Sequence, residues 1–154
     1  MTTIRKKTIA GLKIGDCFTV QRTFTAEDVA AFARLSRDEN PVHSSQQWVA
    51  AKGLDGKICH GLLVAAMVTE IGGQIGWLAS RMDFKFKRPV YIGDRVECAF
   101  TITEIAPNRW AKGEACMTNQ EGAVVIEARI WGILPNASER EILKGLVAQG
   151  RSSE

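Results

Sequence analysis

His60-Gly61-Leu62-Leu63-Val64-Ala65-Ala66-Met67-Val68, continuing to Ile71, is the stretch that decides the fold. Read as a helix it is apolar on nearly every face, and such a helix is wrapped by protein on all sides instead of lying on a surface. Gly72, Gly73 and Gly76 are expected to end it. Its continuous apolar run, Leu62 to Val68, is far shorter than the ~20 residues a membrane span requires.

Working upstream, Cys17 to Phe24 alternates and is rich in Thr, Val and Phe, which predicts a strand. Thr25 with Asp28 three residues on forms a capping-box start in which Asp stands in for Glu. Val29, Phe32, Ala33 and Leu35 then recur at helical spacing, predicting a helix over Ala26 to Ser36. Pro41 disfavours helical backbone at Asn40, so Arg37 to Ser45 is read as a loop. A short helix over Gln46 to Lys52 follows, broken by Gly53 and Gly56.

Downstream, strands are predicted at Met82 to Phe86, Val96 to Ile105, Trp110 to Thr118 and Val124 to Leu134. Val96, Cys98, Phe100 and Ile102 alternate with polar partners, the pattern of a sheet with one dry face. From Asn136 onward, Ile142, Leu143, Leu146 and Val147 predict a short amphipathic helix fraying into a disordered polar end. The order of strand, helices, buried helix and consecutive strands predicts an α+β fold, an antiparallel sheet wrapped around a central helix. One domain is expected over 1–154, with its core at about 13–134 and a tail at 135–154. A single curled sheet leaves open edges, and pairing two copies edge to edge satisfies them, so a homodimer or larger homo-oligomer is predicted.

Composition narrows the function classes. The 154 residues are 45% hydrophobic and 24% charged, an ordinary globular balance. The net charge of +3 is too mild to identify a nucleic-acid binder, which shows a clustered basic face. Arg5, Lys6 and Lys7 have no apolar run behind them, so no secretory signal is read at the N-terminus. Cys17, Cys59, Cys98 and Cys116 form no CxxC pair and are expected as reduced, mostly buried thiols of a cytoplasmic protein. Neither partnership with nucleic acid nor insertion in a membrane is expected.

The chemistry concentrates around the only two histidines, His43 and His60. No GxxxxGK, GxGxxG or GxSxG motif is present, and two histidines without a thiolate cluster give little support to a zinc site, so no metal is expected. In Asp38-Glu39-Asn40-Pro41-Val42-His43 the Asn-Pro turn brings Asp38 toward His43. A carboxylate beside an imidazole is a general acid–base unit. The plainer alternative is that Asp38 caps a turn and His43 is a loop residue bonded to backbone. His60-Gly61 opens the buried helix, whose first amides lack internal partners and carry partial positive charge. Glycine there admits a ligand oxygen, the arrangement of an oxyanion site; an ordinary glycine before a core helix is the alternative.

Asp38-x-Asn40-Pro41-x-His43, then His60-Gly61 and the apolar helix, then Phe86-Lys87-Arg88-Pro89-Val90-Tyr91-Ile92-Gly93-Asp94, together resemble the MaoC-like family of (R)-specific enoyl-CoA hydratases and dehydratases. The resemblance runs from about Lys13 to Ile133. It implies a hot-dog fold, a dimer, and an acyl-CoA or acyl-carrier-protein thioester as substrate. It places the catalytic pair on Asp38 and His43, the oxyanion donor on Gly61 and a supporting role on Asn40. It implies reversible hydration of a trans-2-enoyl thioester to the (R)-3-hydroxyacyl thioester, with no metal or redox cofactor. Two departures stand out. Ala65 and Ala66 replace a serine that many members carry in the central helix, and Gly76-Trp77-Leu78-Ala79-Ser80-Arg81 is shorter than the Gly/Pro-rich stretch common there. A thioesterase, a carrier-protein dehydratase and a non-enzymatic acyl-CoA-binding subunit are the alternatives on the same fold. Arg81, Lys85, Lys87 and Arg88 form a basic run that suits CoA phosphates or an acidic carrier, although a solvated strand end explains them too.

Overall fold

A computed structural model describes residues 1–150. The chain opens with a helix the sequence reading does not contain, α1 (Thr3–Ala10), capped by the Thr2 hydroxyl accepting from the Arg5 N–H. Its weak apolar periodicity explains the omission: only Ile4 and Thr8 are buried. The Thr2 hydroxyl also meets the Gln74 side chain on the central helix. The core therefore begins at Ile4, ahead of the expected boundary near residue 13.

Strand β1 (Cys17–Thr23) leads to α2 (Ala26–Ser36), where Thr25 and Asp28 form the predicted reciprocal capping box. Helix α2 ends on Arg37, whose left-handed φ of 60° turns the chain sharply into the functional loop. A 3-10 turn at Pro41–His43 and helix α3 (Gln46–Ala51) follow. The central helix comes in two pieces, α4 (Gly61–Ala65) and α5 (Met67–Ile75), joined at Ala66. It runs through Gly72 and Gly73, contrary to expectation, and stops at Gly76 in the left-handed conformation. A glycine in a helix interior is merely less favourable than alanine; only at Gly76 does the backbone require one. Nor is the helix wrapped on all sides, because Leu62 is 62% exposed.

Strands β2 (Leu78–Phe86), β3 (Arg95–Ile105), β4 (Trp110–Asn119) and β5 (Val124–Ile133) complete one antiparallel sheet with the order β1-β3-β4-β5-β2. Strand β2 starts four residues before the predicted Met82, because an irregularity between Ala79 and Arg81 keeps it paired with β5. Val64, Met67, Val68, Ile71 and Ile75 of the central helix pack with Val96, Phe100, Met117 and Ile126 of the sheet in one core. Helix α6 (Ala137–Ala148) closes the described chain; the expected disordered end at 151–154 lies outside the described residues.

One smaller expectation is corrected. Cys59 and Cys98 are buried but Cys17 and Cys116 are exposed. Trp131 lies on the sheet with the Arg81 guanidinium 4.6 Å from its ring, and Trp48 is 45% exposed. No helix among the described residues is long and apolar enough to cross a membrane.

Candidate active site

The loop between α2 and α3 is shaped by its own side chains. The Asp38 carboxylate accepts from the Asn40 N–H at 3.1 Å, and the Asn40 side-chain oxygen accepts from the Val42 N–H at 3.2 Å. These successive Asx turns, with Pro41 opening the 3-10 turn, bring Asp38 and His43 to the same side. Their nearest side-chain atoms, Asp38 Oδ2 and His43 Nε2, are 3.7 Å apart. Asn40 is thus a loop-shaping residue whose oxygen is already engaged.

His43 Nδ1 lies 2.8 Å from the Ile58 carbonyl oxygen. A carbonyl only accepts, so Nδ1 carries the proton and a neutral ring keeps its lone pair on Nε2, facing Asp38. The imidazole is largely buried, whereas the Asp38 side chain is about half exposed. The turn-capping role of Asp38 and the backbone bond of His43 are therefore real. They coexist with the pairing and hold it in place.

His60 is held from three sides. The strand-like segment before it is pinned by the Cys59 N–H to Val90 O bond (2.7 Å) and the Ile58 N–H to Val42 O bond (3.2 Å). The His60 ring, 2% exposed, stacks on His43 with centroids 3.7 Å apart and planes tilted by 25°. The Phe32 ring lies 5.0 Å away, and His60 Nε2 is 3.2 Å from the Asp38 carbonyl oxygen. The sequence flagged His60 only as a helix opener. Its contact with both members of the pair is a tertiary fact, and the one hint was that the chain has just two histidines.

Asp38, His43 and His60 offer three ligand atoms within 4.8 Å of one another. The stack makes them a poor chelate. An imidazole lone pair lies in its ring plane, and two rings stacked with centroids 3.7 Å apart and planes tilted by 25° are poorly placed to aim both lone pairs at one ion ~2.1 Å from each nitrogen.

Gly61 opens α4 with no side-chain cap, so its N–H is among the amides a helix leaves free. It lies in the wall of a cavity of about 380 Å³ that also meets Asn40, His43, Val64, Phe86 and Ile126. The Phe86 ring lies directly over Gly61: a Cβ there would come within 2.8 Å of Phe86 Cε1. The sequence reading named Phe86 as part of a motif but did not foresee this contact.

The basic run divides. Lys87 and Arg88 line the cavity. Lys87 faces Glu127 at 3.7 Å, Arg88 donates to the Val124 carbonyl at 2.7 Å, and Arg81 is locked onto Asp83. Cys59, beside His60, is buried, and burial pushes its thiol up to about 12, which leaves no thiolate for nucleophilic work near neutral pH.

Residues 15–124 match the family model described as MaoC like domain. The chain belongs to the MaoC-like family. It is 31% identical over 141 residues to a mitochondrial 3-hydroxyacyl-[acyl-carrier-protein] dehydratase of Arabidopsis thaliana, covering 88% of this chain and 84% of that one. It is 27% identical to a 3-hydroxybutyryl-CoA dehydratase of Methylorubrum extorquens, with 92% of each chain covered. Among solved structures, the (R)-hydratase of A. caviae involved in PHA biosynthesis superposes with a TM-score of 0.77 at 29% identity, covering 81% of this chain and 98% of that one. The hot-dog architecture expected from the motifs is thus the architecture of the molecule.

Proposed function

We propose that this MaoC-like protein is a hydratase/dehydratase acting on acyl thioesters, adding water to a trans-2-enoyl-CoA to give the (R)-3-hydroxyacyl-CoA, and the reverse. The observation that carries the reading is the 3.7 Å approach of Asp38 Oδ2 to His43 Nε2, with the His43 tautomer fixed by Ile58. Neither atom hydrogen-bonds the other at that separation, and both can reach one water at about 2.8 Å.

The mechanism follows from these groups. Water bound between Asp38 and His43 gives up a proton to the pair, and its oxygen bonds to C3 of the enoyl thioester. Electron density moves through C2 onto the thioester oxygen. The Gly61 N–H, at the electropositive start of the helix, stabilises that charge, a contribution of ~3 kcal/mol for one such donor. The pair returns a proton to C2, so H and OH have been added and nothing is oxidised or reduced. The step needs neither a metal nor a redox cofactor.

Similarity to the plant carrier-protein dehydratase supports a second reading, in which the same pair dehydrates a 3-hydroxyacyl chain on a carrier protein. CoA and carrier substrates share the thioester and the reacting carbons, so competition between the two substrates distinguishes them.

A homodimer completes the proposal. Among the described residues strand β2 has a partner, β5, on one side only, and Leu78, Met82 and Phe86 along it are exposed, as is Leu62 near its end. A second copy pairing there would cover a row of apolar side chains and an open edge. Sedimentation at twice the chain mass is expected, and a monomer at micromolar concentration refutes it. Four free cysteines suit a reducing compartment such as the cytoplasm.

The deciding experiment follows the absorbance of enoyl-CoAs of several chain lengths with purified protein, with chiral analysis of the product. Asp38→Asn and His43→Gln should each lower turnover by at least ~100-fold in a folded protein. Normal turnover in either variant removes the pair from the mechanism.

A further inference from the structure

The two histidines do different jobs, and the function proposed above uses only one of them. We propose that His60 is a positioning residue that sets the placement of both members of the acid–base pair, an inference that rests on that function.

Three observations converge. His60 Nε2 donates to the main-chain carbonyl of Asp38 at 3.2 Å, so it fixes the residue that carries the carboxylate. Its ring is the floor under His43, stacked at 3.7 Å. Its Nδ1 is buried and has no hydrogen-bond partner among the described residues. That last feature argues against a purely structural role. A buried polar atom left unpaired costs free energy, and a phenylalanine or leucine would fill the same volume without that cost. What an apolar side chain lacks is the Nε2–H that reaches Asp38.

The tautomers follow from the acceptors. Both bonds end on carbonyl oxygens, which cannot donate. His60 therefore holds its proton on Nε2, and His43 holds its proton on Nδ1. The stacked rings present opposite tautomers. Asp38 is half exposed and sits just past the sharp Arg37 turn. Among its contacts, the bond from His60 is the one that comes from a fully buried group. Without it, the Asp38 bonds that remain among the described residues are local: its N–H donates to the Ser36 hydroxyl and its carboxylate accepts from the Asn40 N–H.

Because the chain contains only two histidines, ¹⁵N-histidine NMR shows two ring systems, and the signals lost in His60→Gln assign them; an Nδ1–H ring lost there would also overturn the proposal. Wild-type protein should show one Nδ1–H and one Nε2–H neutral ring, each shifted by the stacked neighbour. Two rings of the same tautomer would overturn the proposal, whatever the activity proves to be. His60→Leu removes the donor, whereas His60→Gln keeps an N–H at the position of Nε2. His60→Leu should lower kcat by up to about 100-fold, as expected for a misplaced reacting group, with KM within about twofold. His60→Gln should recover most of that loss. Equal kcat in His60→Leu and wild type would overturn the inference while leaving the catalytic pair intact. Equal loss in both variants would overturn it too, since the donor would then not matter. If His60→Leu does not fold, the tautomer spectrum and the His60→Gln rate still decide. If wild-type protein hydrates no enoyl thioester, the proposed function fails, and the spectrum of wild type against His60→Gln still reads the positioning.

Discussion

Gly61→Ala is the substitution whose outcome the structure determines most closely. The new Cβ would stand 2.8 Å from Phe86 Cε1, 3.0 Å from Cδ1 and 3.3 Å from Cζ. Carbon atoms settle at 3.5 Å or more, so the ring must retreat by roughly 0.7 Å. Phe86 is 52% exposed and can swing, which keeps the strain near the low end of overpacking, about 1 kcal/mol. Alanine's better helix propensity offsets part of that, by up to about 1 kcal/mol. Stability should therefore change little. Activity should not escape, because the displaced ring lines the same cavity as Gly61 and His43. A displacement approaching 1 Å at a reacting centre costs up to about 100-fold. The expected result is a fall in kcat/KM of roughly 10- to 100-fold, with Tm within a few degrees of wild type. Phe86→Leu shortens the opposing side chain. In a double-mutant cycle scored on kcat/KM, the two changes should couple by about 1 kcal/mol or more. Full activity in Gly61→Ala, or a coupling below ~0.3 kcal/mol, would refute the idea that the Gly61–Phe86 contact sets the geometry at the helix tip.

Other outcomes follow from particular contacts. Thr25→Ala removes the α2 cap and should cost ~1 kcal/mol in a denaturant titration; an unchanged midpoint would mean the cap is dispensable. Gly132→Ala should unfold the protein or destabilise it by more than ~3 kcal/mol, because its Cβ would collide with the Leu78 backbone oxygen and Trp77 Nε1; a wild-type melting curve would contradict the β2–β5 register there. Burial raises the Cys59 and Cys98 thiols to about 12, so both stay protonated until strongly alkaline pH. Brief alkylation at pH 8 followed by peptide mass spectrometry should label the exposed Cys17 and Cys116 and spare the buried pair; rapid labelling of Cys59 would refute its burial.

Sequence alone determined the elements whose causes are local. The Thr25–Asp28 capping box, the alternation of Val96, Cys98, Phe100 and Ile102, and the proline after Asn40 act within a few residues, and the structure places α2, β3 and the loop where they point. The Asp38–His43 approach was legible for the same reason, since five positions and an Asn-Pro turn span it. Tertiary structure decided the rest. Helix α1 has little amphipathic pattern of its own and is ordered by its contacts with the central helix. The pairing of β1 with β3 and of β2 with β5, the Phe86 ring over Gly61 and the His60 ring beneath His43 join residues 17 or more positions apart. Local propensity carries no record of such contacts, because their free energy appears only when the whole core closes and excludes water from both partners at once.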